Sequence, residues 1–340
     1  MTLTIGVDVG GTKIAAGVVN PDGTVVETQR RETPAHEARA TEDAIIALVG
    51  ELRQRHDVEA VGIGAAGYID EKRATVLFAP NLAWRDEPLK ATVEDSVGIP
   101  VVVENDANAA AWGEFRFGAG ADVDELLMVA IGTGIGGGIV LGGELFRGTF
   151  GIAGEFGHVK MVPGGRVCGC GNRGCWEQYA SGNALVRDAR EMIRAGSPMA
   201  QHLRDLVDGD LEALDGPHIT QAARDGDPLS IELLADVGAW LGVGLAGLTA
   251  AFDPGCLIIG GGVSDAGDLL LEPTRRAFSR SLTGRGHRDE PVILQAELGP
   301  SAGFIGAADM ARSAARRSRR VRVRRTRQGR ARRLLRSDRA

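Results

Sequence analysis

TIGVDVGGTKIAAGVVNPDGTVVETQR, residues 4–30, reads as three strands joined by two tight turns. Thr4–Val9 is apolar, DVGGTK (Asp8–Lys13) supplies a glycine turn, Ile14–Val19 is a second strand, and NPDG leads into a third over Thr24–Arg30. This meander differs from a P-loop, which needs GxxxxGK[ST] opening a helix. Gly10 and Gly11 leave backbone N–H groups bare for a phosphate, Thr12 adds a hydroxyl and Lys13 a charge. Asp8, at the strand end, suits a water-mediated contact to Mg²⁺. Taken alone, the turn reads equally well as a plain hairpin.

The same plan returns about 120 residues later: Glu125–Ile131 is an apolar strand, GTGIGGG (Gly132–Gly138) the turn, Ile139–Leu141 a second strand, and GGELFRG leads through a third. That recurrence points to an internal duplication. Gly132, Gly134 and Gly137 also fit GxGxxG, but the dinucleotide fingerprint opens a helix and a strand follows here. Two facing glycine hairpins would instead grip a polyphosphate from both sides.

Between the copies, a helix is expected over Thr41–His56, capped by Thr41 with acids in its first turn, followed by a buried strand Ala60–Gly64. The loop AAGYID and the segment APNLAW come next, the latter too broken to be regular. Asn81 there either satisfies turn backbone or faces a ligand. In IPVVVENDANAAAWGEF (99–115), Val101–Val103 is a strand, Glu104–Asp106 its polar end and Ala107–Phe115 a helix. Asn105 and Asp106 thus stand at the carboxyl end of a strand, where α/β proteins place ligands; Asp106 reads equally as an N-cap.

GEFGHVKMVPGGRVCGCGNRGCWEQ (154–178) gathers Cys168, Cys170 and Cys175 just after His158. Three thiolates and an imidazole make a closed tetrahedral set for a structural Zn²⁺, with Gly169, Gly171 and Gly174 letting the backbone turn between ligands. The competing reading is a disulfide with one spare thiol. Glu155 and Glu177 flank the knot and remain for other work. Downstream, Ala184–Arg194, His218–Asp225 and Leu229–Thr249 have helical period, Cys256–Ile259 is a buried strand running into a third glycine turn (Gly260–Val263), Pro291–Glu297 is a last strand, and a helix runs from Phe304 to about Ala315.

With 340 residues and 44% hydrophobic content the chain can form two lobes. No apolar run of membrane length and no secretory leader are read in it, so a cytoplasmic protein is expected. The net charge of −6 is divided: residues 311–340 hold fourteen arginines and one aspartate, leaving 25 basic and 44 acidic side chains in residues 1–310. The arginine track reads as a nucleic-acid contact or as a solvated, disordered extension, and its lack of aromatics favours the second.

In chain order, DVGGTK, ENDANAA, GTGIGGG, GEFGH and CGCGNRGCWE closely resemble the ROK family of sugar kinases, its bacterial glucokinases above all, from about Thr4 to Ala311. The resemblance implies an α/β, actin/hexokinase-like (ribonuclease H-like) duplicated fold, with two lobes around a cleft and a five-stranded sheet in each. The smaller N-terminal lobe would take residues 1–116 plus the helix at about 304–315, the larger lobe 117–303 with the zinc loop, and the arginine-rich tail 316–340. It implies ATP-dependent phosphorylation of glucose at the 6-hydroxyl. Asp106 would be the general base, and Gly67, Asn81, Asn105, Glu155, His158 and Glu177 would hold the sugar. Asp8, Gly10, Gly11, Thr12 and Lys13 would form the first phosphate loop. Gly132, Thr133, Gly134, Gly136 and Gly137 would form the second, and Gly260, Gly261 and Gly262 the adenosine loop. His158 would serve twice, with one ring nitrogen on zinc and the other toward a hydroxyl. A homo-oligomer, a dimer or tetramer, fits the family. Kinases of the family for N-acetylglucosamine, N-acetylmannosamine, mannose or fructose share the hydroxyl-binding set. Its sugar-sensing repressors carry a helix-turn-helix ahead of the first glycine turn, for which no room is read here.

Overall fold

Two five-stranded sheets repeat one strand order in the computed structural model, which describes residues 2–317. The arginine track from 318 onward, with the expectation attached to it, lies outside the described residues. The chain divides into two compact units, one holding the residues up to Gly113, Thr149–Ile152 and the chain from Ser301, the other Glu114–Gly148 and Ala153–Pro300.

In the first unit β1 (Leu3–Val9), β2 (Lys13–Val19) and β3 (Val25–Glu32) form the expected meander, α1 (Ala38–Arg55) follows, and β4 (Val58–Ala65) lies parallel to β1. Then come β5 (Tyr68–Ile69), β6 (Val76–Phe78), β7 (Arg85–Glu87), α2 (Leu89–Val97), β8 (Val101–Asn105) and α3 (Asp106–Phe117). The sheet order is β3-β2-β1-β4-β8. β1 and β4 are apolar almost throughout because they are covered on both faces, whereas β3 alternates between half-buried and exposed residues, as an edge strand with one wet face does.

The second unit repeats this with β9 (Leu126–Ile131), β10 (Ile135–Leu141) and β11 (Glu144–Leu145) as its meander. After the cysteine loop come α4 (Glu177–Ala180), α5 (Gly182–Arg194), α6 (Gln201–Leu206), α7 (Gly216–Arg224), α8 (Pro228–Phe252), β12 (Cys256–Gly260), α9 (Asp268–Ser281) and β13 (Val292–Gln295). The order β11-β10-β9-β12-β13, antiparallel and then parallel, reproduces the first sheet. A last helix, α10 (302–317), belongs to the first unit.

Glycines fix how closely helices approach these sheets. A Cβ at Gly6 would lie 1.7 Å from Phe304 O and one at Gly62 1.8 Å from Ala307 O, so α10 presses its backbone directly onto sheet one. Buried Arg312 secures it there, donating to Asp309 (3.0 Å), Thr4 Oγ1 (2.6 Å) and Val19 O (2.8 Å). In the second unit, Gly238 and Gly242 of α8 let α9 approach, since a Cβ at Gly242 would meet Thr274 O at 2.4 Å.

Several expectations are corrected. Thr41 does not cap α1: the helix starts at Ala38 after Glu37, its first turn holds no acid, and Thr41 Oγ1 donates to Pro34 O and Glu37 O. APNLAW (79–84) is irregular as expected, but the short segments around it pair into a three-stranded sheet, β5-β6-β7, whose strands are too short to leave a period. α9 escapes the sequence reading because Pro273 sits inside it. The expectation that no stretch has membrane length also fails, since α8 is long and apolar enough to cross one. Its burial in the core with Trp176, Leu257 and Phe278 accounts for that apolarity.

Candidate functional site

The carboxyl ends of the parallel strands hold the chemistry of the first unit. Asp8 is the last residue but one of β1 and Asp106 opens α3 directly after β8; Gly64 of β4 leaves room for this, since a Cβ there would lie 3.3 Å from Ala109 Cβ. Asp106 is not the cap of α3. Asn105 fills that role, its Oδ1 accepting from Asn108 N at 2.9 Å. The Asn105 amide also donates to Gly67 O (3.1 Å) and to Asp106 Oδ1 (3.0 Å), and the same Oδ1 accepts from Ala107 N (2.9 Å). Both hydrogen bonds fall on one oxygen, and Oδ2 takes none from the described residues.

Burial pushes Asp106 above the usual carboxylate range against these hydrogen bonds. Asp8 is raised to about 7, by burial first and by the Asp106 charge second, with Lys13 opposing. A carboxylate so placed fits a divalent cation, whose charge would restore its ionised form. The glycine turn beside it is braced: Gly10 N donates to Lys13 O (3.0 Å), Thr33 Oγ1 to Gly10 O (2.8 Å) and Thr33 N to Thr12 O (3.0 Å). Thr12 and Lys13 stay exposed, and a Cβ at Gly11 would lie 3.0 Å from Asn81 Cβ. The structure thus brings Asp8, the turn, Asn81, Gly67, Asn105 and Asp106 into one unit.

The GEFGH turn of the second unit is folded onto β10. Phe156 covers Gly137, where a Cβ would strike its ring at 2.2 Å, and Gly157 packs against Ile135 O. The short helical turn Phe156–His158 starts from Glu155 and presents His158 to the cysteines. His158 and Cys168, Cys170 and Cys175 bring one ligand atom each within 4.8 Å of one another. Cys168 Sγ is 3.7 Å from His158 Nδ1, and Cys170 Sγ is 3.6 Å from Cys175 Sγ. A tetrahedron with bonds of about 2.0–2.3 Å has edges of about 3.3–3.8 Å, so these spacings fit a metal ion. The disulfide reading fails, as all the cysteines are free.

Burial, then Glu177, push the Cys168 thiol up, and burial, then Cys170, raise Cys175, so these two thiols hold protons that a metal would displace, whereas, against its burial, Cys170 is lowered by hydrogen bonds from Asn172 and the neighbouring thiols. Glu177 is less detached than expected: Oε1 is 3.0 Å from Cys168 Sγ and 3.7 Å from His158 Nδ1, while Oε2 approaches Gly134. It joins the metal knot to the second glycine turn. Trp176 anchors the knot to α8, donating to Trp240 O at 3.0 Å, with its ring against Gly244.

That second turn is shorter than the sequence suggests. Gly136 and Gly137 lie inside β10, paired with Ala130 and Val129, because the strand already begins at Ile135. The exposed turn is Gly132–Gly134, pinned to the start of α5 by Gly182 N donating to Gly132 O (2.8 Å) and Asn183 N to Thr133 O (3.3 Å). Likewise Gly260 lies within β12 and Gly261, with φ of 85°, abuts Ile131, which leaves Gly262 beside the cavity. The cavity, about 770 Å³, opens where the ends of β9 and β12 meet α5 and α7. Its charged wall of Arg190, Glu212 and Arg224 was missed in the sequence, where these residues look like ordinary surface positions. Arg190 donates to Glu212 Oε2 at 2.9 Å and to Leu214 O at 3.0 Å, stiffening that wall.

Two sheets of one strand order, each with a glycine turn after its first strand and polar residues at its parallel ends, define the class: the duplicated α/β fold of actin and hexokinase. Within it the chain belongs to the ROK family, whose profile matches residues 4–314. It is 52% identical over 312 residues to a glucokinase of Streptomyces coelicolor, covering 92% of this chain and 98% of that one. A ROK family glucokinase from Streptomyces griseus, solved in complex with glucose and AMPPNP, superposes with a TM-score of 0.85 at 56% identity, covering 92% of this chain and 99% of that one. A ROK hexokinase from Thermus thermophilus superposes at 0.74 with 34% identity, covering 93% and 99%.

Proposed function

We propose that this protein transfers the γ-phosphoryl group of ATP to the 6-hydroxyl of glucose. The observation that carries the reading is the Asp106 carboxylate, half-buried at a strand end, with one oxygen fixed by two donors and the other left to accept a proton. Membership of the ROK family and the likeness to a glucokinase crystallised with glucose and AMPPNP supply the substrates. Phosphoryl transfer asks for an aligned hydroxyl, neutralised phosphate charge and exclusion of water.

Asp106 Oδ2 takes the proton of the 6-hydroxyl as that oxygen attacks in line. Asn81, Asn105, Glu155, His158 and Glu177 hold the remaining hydroxyls, the carboxylates each able to accept in pairs, so that an analogue lacking one hydroxyl strands a buried group. Lys13 and the N–H groups of Gly11 and Thr12 meet the phosphates, as does the Gly132–Gly134 turn, while the cavity beside Gly262 takes the adenosine; the Gly10 N–H, expected to be bare, is instead spent on Lys13 O. Asp8 would hold Mg²⁺, which supplies charge neutralisation to the phosphates. His158, Cys168, Cys170 and Cys175 would hold Zn²⁺, which fixes the loop carrying Glu155 and Glu177. Reduced thiols in that set support a reducing, cytoplasmic setting. The enzyme acts as a homo-oligomer, which light scattering tests. A coupled ADP-release assay over glucose, mannose, fructose, N-acetylglucosamine and N-acetylmannosamine tests the substrate: glucose should give the highest kcat/KM, and a preference for an acetamido sugar would overturn the assignment.

A further inference from the structure

We infer that Glu104, braced by Arg73, is a positioning residue that fixes the orientation of Asp106. This rests on Asp106 serving as the base. Glu104 is 1% exposed at the end of β8, beneath the turn that opens α3. Its Oε1 accepts from Asn105 N at 3.0 Å and from Asn108 Nδ2 at 3.3 Å, so one carboxylate oxygen holds both asparagines of that turn. Asn105 then has its amide orientation set from both ends: Oδ1 is engaged by Asn108 N, which turns Nδ2 toward Gly67 O and Asp106 Oδ1. An asparagine rotated by half a turn would present an oxygen to the Asp106 carboxylate and repel it. Glu104 therefore acts on Asp106 through Asn105.

Arg73 supplies the cation that a buried carboxylate requires, with Nε 2.9 Å from Oε2. It sits at the tip of the β5–β6 hairpin with φ of 57°, a left-handed conformation uncommon for a residue with a Cβ. Val103 N donates to its carbonyl at 3.1 Å, docking the hairpin on β8 one residue before Glu104. The contact thereby couples the hairpin that follows Gly67 to the turn that carries Asp106.

Glu104→Leu, which removes the acceptor while keeping the volume, should lower kcat about tenfold, the scale of a modest misplacement of a reacting group. Glu104→Gln keeps an acceptor oxygen and should stay within about threefold of the parent. Arg73→Ala, which leaves the carboxylate beside no Arg73 cation, should lose turnover, and Arg73→Ala/Glu104→Gln should recover most of it. Turnover is read by ADP release at a temperature where circular dichroism shows each variant folded. In the cycle with Asp106→Asn, adding Glu104→Leu should cost little more, because both changes act on one group. A folded Glu104→Leu with parental kcat, or full additivity with Asp106→Asn, overturns the positioning role while leaving the base in place. Parental kcat in Asp106→Asn overturns the base, and this inference with it. Should Glu104→Leu fail to fold, the Arg73 pair decides: no recovery on adding Glu104→Gln overturns the proposal.

Discussion

Asp8 and Asp106 titrate in one poorly solvated corner of the first unit, and each charge raises the cost of the other. Because the folded state lifts Asp8 from 3.8 to about 7, it binds that proton more tightly than the unfolded chain does. The contribution of this group to stability is therefore greatest below about pH 4 and is lost as pH rises toward 7, a penalty on the order of a few kcal/mol before solvent relaxation. Asp8→Asn should raise the Tm of ligand-free protein at pH 8, change it little at pH 4, and abolish most turnover; a pH-independent difference in Tm would contradict the raised titration. Asp106→Asn should reduce kcat by about a hundredfold or more with glucose affinity largely kept, measured by steady-state kinetics and calorimetry.

At the scale of elements, two glycines of one motif should behave differently. Gly137 lies within β10 under Phe156, so Gly137→Ala forces overlap with that ring and with Gly154 O, and should destabilise the protein by about 1–3 kcal/mol in urea denaturation. Gly132 has open space where a Cβ would go, so Gly132→Ala should leave stability unchanged and raise the KM for ATP. The metal knot couples to both β10 and α8 through Phe156 and Trp176. Chelation should release about one metal equivalent, lower the Tm and raise the glucose KM together. Release of metal with sugar binding unaltered would separate the knot from the site.

For the molecule as a whole, the repeated strand order places two glycine turns at equivalent positions, one in each unit. Both sheets and every residue proposed here lie within the described residues 2–317. A chain ending at 317 should keep kcat within about twofold, and a larger loss in the same assay would give the arginine track a part in catalysis.

The sequence by itself determined both meanders, the strand–turn–helix holding Asp106 and the cysteine–histidine set, because each is encoded within about twenty-five residues by apolar runs, glycines and ligand spacing. What it did not determine depends on contacts between distant segments. Where the second turn ends was decided by Phe156 packing on β10, and the cap of α3 by which of two adjacent polar side chains could reach Asn108 N. α9 was hidden by Pro273 and is held in place by the glycines of α8. The charged wall of the cavity and the Arg73–Glu104 brace carry no local signal, since an arginine or glutamate acquires such a role only when folding removes it from water beside a partner far along the chain.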